Sequence, residues 1–302
     1  MKLSIGSIRS VVDRRWKSMN AVCALRTCKN TMLMRSVPQS RVGIRMGQLW
    51  YCGVDCFASA ALSRLAVLAD DHVVEMPHQP RLTIGLVMLS KGYLTDQQLR
   101  FATAQSRLNG EELEVSLLRL GLANERQLAA ARAAQWGCPV LGQERIGQPV
   151  ELDIPATLLR ISSAVPLHYS AATRRLLMGF VYRVEHSLLH AVEQVTDCKT
   201  NPCFITPTEF GAQMERLAVS PDHEEVVPAE PMTPAQMANT LGSLAIEVAA
   251  REATLINCRG YIWTRLSGKR RRVDVLFPAR QAIEAGIRKN LSLQEEHIAS
   301  WG

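Results

Sequence analysis

The sequence predicts an α+β fold: a helical-hairpin repeat, then a small α/β subdomain, then a C-terminal module of one helix and a β-hairpin. Three observations predict it. "MLSKGYLTDQQL" at residues 88–99 is echoed by "LLRLGLANERQL" at residues 117–128, an offset of 29. After Gly137 the apolar residues fall in turn at strand-like and helix-like spacings. Towards the C-terminus "YIWTRL" and "VDVLF" flank "SGKRRR" as two strands flank a turn.

Residues 1–79 come first and show little periodicity. Up to residue 69 they hold eleven Lys or Arg against Asp13 and Asp55, a charge of +9, while the rest of the chain sums to −2. The net charge of +7 therefore belongs to this segment, and the near-neutral body gives no argument for nucleic acid. The segment reads as a basic arm, a targeting peptide, or an extension upstream of a start at Met46, with disorder or a spurious extension preferred. On that reading the first 55 or so residues are dispensable. A short helix is expected over 59–69.

The repeat occupies the start of the next domain, residues 80–217. Ile84, Val87 and Met88 make a helical stripe, Gly92 supplies a left-handed residue after it, and Thr95 with Gln98 forms a capping box for the next helix. Leu113, Leu117 and Leu118, then Gly121, then Asn124 with Gln127, repeat the same sequence of signals. Each copy is a helix, a tight turn and a helix. Beyond it, residues 163–181 read as two strands around a polar turn. Residues 185–195 read as a helix, 202–205 as a strand, and 206–217 as a helix capped by Thr206 and Glu209. Residues 218–233, with four prolines up to Pro234 and little apolar content, read as a linker. Residues 234–302 form the last module: a helix opened by Thr233 and Pro234, the hairpin with its basic tip, and a surface helix after Phe277.

With these residues in hand, the doubled pattern resembles the N-terminal domain of type II secretion and type IV pilus assembly ATPases, the GspE/MshE N-terminal domain. "AAARAAQWGCPVL" at 129–141 is similar to the family's helix ending, with Trp136 where a small residue is usual. "DIPATLLRISSAVPL" at 153–167 is similar to its following helix and strand. The likeness covers roughly residues 81–217. It implies one of two functions: docking to a membrane-platform protein, or binding cyclic di-GMP through the two repeats. By resemblance, Gly85, Leu89, Gly92, Leu118 and Gly121 are the ligand-binding positions.

The nucleotide function in the family uses Arg-Leu-Gly at the start of each copy. Those positions hold Thr83, Ile84 and Gly85 in one copy and Glu112, Leu113 and Glu114 in the other. The guanine-facing arginine is missing twice, and two glutamates would repel a phosphodiester. The family's ATPases also carry a P-loop. No Gly-x-x-x-x-Gly-Lys-Ser/Thr run occurs in this sequence, and "SGKRR" puts Arg270 where the hydroxyl belongs. The preferred reading is a stand-alone, non-catalytic regulatory or docking protein that binds a protein partner, such as a secretion or pilus component. A cyclic di-GMP sensor with a degenerate motif is the alternative.

Other side chains offer further chemistry. His186 and His190 share a helix face and could ligate zinc with Cys198 and Cys203, but the spacing is loose and the expectation is no metal. The pairs Cys23/Cys28 and Cys52/Cys56 rank lower, since they fall in the N-terminal segment. Lys269, Arg270, Arg271 and Arg272 could bind a polyanion, although four bases on a hairpin tip are more often a hydrated turn. No Gly-x-Ser-x-Gly, His-Glu-x-x-His or dinucleotide fingerprint occurs, so no enzyme activity and no cofactor are expected. No run reaches the roughly 18 apolar residues of a membrane span. Arg14, Arg15 and Lys17 interrupt any secretory signal. A cytoplasmic chain is expected, which the eight scattered cysteines fit.

Overall fold

The structure is a computed structural model, and it describes residues 20–29, 36–38, 43–70, 82–142, 150, 154–217 and 223–278. The chain divides into two compact units. One comprises Met1–His72 together with Pro221–Gly302, and the other Val73–Ser220. The first unit is thus built from both ends of the chain.

It opens with two three-residue strands, β1 (Asn20–Val22) and β2 (Ser36–Pro38), paired antiparallel. A second antiparallel pair, β3 (Ile44–Met46) and β4 (Leu49–Tyr51), leads into α1 (Val54–Asp70). The α1 face carrying Phe57, Ala61, Leu65 and Leu68 is buried at the 3.6-residue period.

The second unit holds the repeat. Helix α2 (Ile84–Ser90) turns into α3 (Asp96–Asn109), and α4 (Leu113–Arg119) turns into α5 (Glu125–Trp136). Thr95 and Asn124 each complete a capping box, with Gln98 and Gln127. The turns match bond for bond. Gly92 and Tyr93 N–H donate to Leu89 and Met88 at 2.9 Å, and Gly121 and Leu122 N–H donate to Leu118 and Leu117 at 3.0 Å. Both glycines are left-handed, with φ of +68° and +63°, and a Cβ on either would meet nothing within 4 Å. Replacing Gly92 or Gly121 by Ala should therefore cost only the conformational penalty, about 1–2 kcal/mol each in urea unfolding. A loss below about 0.3 kcal/mol would mean that the turn relaxes to another conformation.

The two hairpins share a core of Val87, Met88, Leu94, Ala102, Leu117, Leu128 and Ala131. After them, α6 (Ala156–Ile161) leads into β5 (Ala164–Ser170), which pairs antiparallel with β6 (Arg175–Phe180). Helix α7 (His186–Thr196) crosses to β7 (Lys199–Phe204), parallel to β6, and α8 (Pro207–Arg216) closes the unit from a Thr206–Glu209 capping box. The α/β subdomain expected from the sequence is present, with strand order β5-β6-β7.

The chain then returns to the first unit. Strand β8 (His223–Val226) precedes α9 (Pro234–Glu247), and β9 (Glu252–Cys258), β10 (Tyr261–Ser267) and β11 (Arg272–Pro278) form an antiparallel meander. The six-stranded sheet has the order β4-β3-β9-β10-β11-β8, with β3 parallel to β9 and β8 parallel to β11. Its core packs Phe57, Ala61 and Leu65 of α1 with Leu241 and Ala245 of α9 and with Val275 and Phe277 of β11.

Three expectations are corrected here. The described part of residues 1–79 is no loose arm, because it supplies two strands and a helix to the core that the C-terminus completes. Residues 234–302 are accordingly not a self-contained module. Residues 218–233 are not only a linker, since β8 lies among them and pairs with β11. The physical reason lies in the strands. Those of three or four residues are too short to display a period of two, and β3 finds its partner β9 some 200 residues away. The helix expected after Phe277 lies outside the described residues.

Candidate functional site

The second hairpin carries a groove where α4 and α5 meet the chain after β6 and the start of α8. Val115 and Leu118 come from α4, Leu128 and Arg132 from α5, with Tyr182 and Pro207 opposite, and Glu112, Glu114 and Glu125 also line it. Val115, Leu118 and Tyr182 are 49%, 38% and 53% exposed, which makes the groove a surface of large apolar groups with three carboxylates around it.

Its geometry follows from a difference between the two copies. In the first, Gly85 is buried, and a Cβ there would lie 2.9 Å from the Leu99 side chain, so the glycine lets α2 and α3 close. The equivalent position in the second copy is Glu114. Its carboxylate pairs with Arg132, which is 4% exposed, and the same guanidinium donates to the Val181 carbonyl at 3.0 Å and lies 5.1 Å from the centre of the Tyr182 ring. This buried cation is tied on three sides, which fixes Tyr182 and the groove wall. At the entrance to α4, the Glu111 carboxylate accepts from Arg119 at 2.7 Å and from Ser116, and these partners hold its pKa down at about 2.

Of the five ligand positions implied by resemblance, Leu118 alone lines this groove. Gly85 is a packing contact, Leu89 is half-buried against the hairpin core, and Gly92 and Gly121 sit on exposed turns. The weak zinc candidates His186, His190, Cys198 and Cys203 form no metal-ligating group among the described residues. His190 lies exposed on α7, while Cys198 and Cys203 are buried. Cys203 donates to the Met178 carbonyl, and burial pushes its thiol up to about 12. The basic tip is divided. Lys269 and Arg270 are exposed on the turn, whereas Arg271 reaches Glu224 at 2.7 Å and Glu247 at 3.4 Å, and Arg272 has entered β11.

Two constellations go beyond the sequence reading. One joins Cys23/Cys28 and Cys52/Cys56, which the sequence offers only as separate, lower-ranked pairs, into the single cluster of three or more metal-ligating side chains among the described residues. The other surrounds Asp274, which is fully buried and accepts from Trp263 Nε1 at 2.8 Å and from Arg265 at 2.8 and 2.6 Å, with His223 Nε2 at 2.5 Å. The signal for the second is a carboxylate inside the apolar run "VDVLF", directly opposite Arg265 in the β10–β11 register.

No family model matches the chain. A type IV pilus assembly ATPase, PilB of Thermus thermophilus, is 26% identical over 129 residues, 42% of this chain. The chain spans only 14% of that curated relative's length. Among solved structures, MshE with cdg is 19% identical with a TM-score of 0.35, over 46% of this chain and 100% of that one. The N-terminal domain of XpsE is 24% identical with a TM-score of 0.35, over 45% and 94%. By its doubled motif and by the similarity to a pilus assembly ATPase, the hairpin domain resembles the GspE/MshE N-terminal domain family of secretion and pilus ATPases.

Proposed function

We propose that the hairpin domain is a non-catalytic docking module whose second-copy groove receives an apolar segment flanked by basic residues, from a protein of a secretion or pilus assembly. The observation that carries this reading is the groove itself: Val115, Leu118 and Tyr182 exposed beside Glu112, Glu114 and Glu125. Exposed apolar side chains gathered in a concavity mark a site of association, and with Glu114 paired to Arg132 the remaining Glu112 and Glu125 favour a cationic partner. The relative's role in pilus assembly is compatible with a partner from such a machine.

The same groove argues against cyclic di-GMP. The arginines absent from positions 83 and 112 remove two charge-assisted hydrogen bonds of about 1.5–3 kcal/mol each, about a hundredfold or more in affinity. Arg132 cannot stand in for them while Glu114 and the Val181 carbonyl hold it. ATP hydrolysis should be absent from this chain, which has no phosphate cradle in its sequence.

A photocrosslinker at Val115 in living cells should capture a protein identified by mass spectrometry as a secretion or pilus component. Leu118→Glu should weaken that capture about tenfold or more, because it buries a charge at the contact. Calorimetric binding of cyclic di-GMP at micromolar or tighter affinity, lost in Leu118→Glu, would overturn the docking reading and make the groove a nucleotide site.

A further inference from the structure

The first unit carries a four-cysteine cluster that no part of the docking reading uses. Cys23 and Cys28 follow β1, Cys52 directly follows β4, and Cys56 lies in the first turn of α1. The spacing is Cys-x₄-Cys and Cys-x₃-Cys, the two pairs separated by 23 residues. The fold closes that gap: Ala24 N–H donates to the Trp50 carbonyl at 2.9 Å, fixing the first pair beside the second. The Cys28 N–H donates to the Leu25 carbonyl at 3.1 Å, which bends the first pair's loop so that both thiols face one point.

The sulfurs of Cys28, Cys52 and Cys56 are separated by 3.6, 3.7 and 3.7 Å, and all four lie within 4.8 Å of one another. A disulfide would bring two of them to about 2.05 Å. Four thiolates around zinc at about 2.3 Å form a tetrahedron whose edges are about 3.8 Å. The three separations among Cys28, Cys52 and Cys56 match that edge, and Cys23 completes the group within 4.8 Å. Hydrophobic contact alone has no reason to collect four sulfurs, since thiols packing as small apolar groups need no common centre.

We propose that Cys23, Cys28, Cys52 and Cys56 bind one zinc ion as a structural site. All four positions of the tetrahedron are taken by protein ligands, so no place is left for substrate or water. Three of the ligands, Cys23, Cys52 and Cys56, are buried at the margin of the core beside Trp50 and Tyr51. The ion ties the loop after β1 to the start of α1. Its binding free energy is folding free energy for that corner of the unit.

Metal analysis of the full-length protein should find one zinc per chain. Titration with a mercurial should release that zinc as four thiols react. The cobalt-exchanged protein should show thiolate-to-cobalt charge transfer and the intense ligand-field bands of a tetrahedral site. Cys52→Ser with Cys56→Ser should lose the metal. Because that variant can fail to fold, Cys28→His is the second probe: it keeps four ligands, so it should retain the metal and shift the cobalt bands. Zinc content unchanged in the double serine variant, or cysteines found disulfide-linked by mass spectrometry in freshly purified protein, would overturn the assignment. So would native protein that takes up neither zinc nor cobalt. None of these results bears on the groove of the hairpin domain, so the two proposals fail separately.

Discussion

Deleting residues 1–73 should unfold the unit that ends the chain. Helix α1 is the first layer of that unit's core, and Phe57, Ala61 and Leu65 are fully buried against α9 and the sheet. Truncating Phe57 to Ala alone should cost about 3–5 kcal/mol, and Leu65 to Ala about 2–5 kcal/mol. A domain's whole stability is about 5–15 kcal/mol. Losing the entire helix, together with β3 and β4 at one side of the sheet, exceeds what remains. Amide exchange reads this directly. In a chain starting at Val74, the amides of β9, β10 and β11 should lose protection, while those of α2 to α5 keep theirs. Full protection of β10, which has a neighbour on each side, would mean that the C-terminal meander folds without α1. Phe57→Ala in the full chain tests the same contact without a truncation.

Asp274→Ala should cost about 3–5 kcal/mol, because it leaves the Arg265 guanidinium buried without its carboxylate. Asp274 is fully buried and Arg265 8% exposed, with the guanidinium also 5.2 Å from the Trp263 ring centre. The cluster gives a sign for pH as well. Burial by itself raises the pKa of Asp274, but the charge of Arg265 and the hydrogen bonds from Arg265, His223 and Trp263 outweigh it and hold the carboxyl below its ordinary value. A carboxyl with a depressed folded-state pKa contributes stability that is fully present above its unfolded pKa of about 4 and is lost as pH falls through the folded value. Urea unfolding should therefore show the wild type losing stability below about pH 4. Asp274→Asn, already deprived of the charge, should lose less over the same range. Identical pH profiles for the two proteins would show that the carboxylate is not ionised in the folded state.

Part of the groove is legible in the sequence. Leu118 follows from the doubled motif, and Glu112 and Glu114 stand out as departures from it. Arg132 and Tyr182 do not, because the contact between them depends on how α5 packs against the chain after β6, 49 residues away in the case of the Arg132–Val181 bond. The four cysteines are visible as two pairs, but the segment around them shows no periodicity to suggest that it folds. Ligand spacing is the better signal there, since a small metal-tied loop needs no amphipathic stripe.

The sequence by itself determined the two hairpins, their turns at Gly92 and Gly121, their capping boxes, and the strand–helix order of the α/β subdomain. Each of these depends on residues within about four positions of one another, so the backbone responds to them locally. Tertiary structure decided how the first unit is assembled, although its helices α1 and α9 and its β10–β11 hairpin are legible in the sequence. Its β3–β9 pairing, the Arg45–Glu252 ion pair across 207 residues, and the bond from Asn257 to the Leu68 carbonyl across 189 join the two ends of the chain. Strands of three residues carry no readable period. Their place is set by the apolar surface of α1 and α9 and by open edges of the meander, which exist only once the distant segment has folded against them.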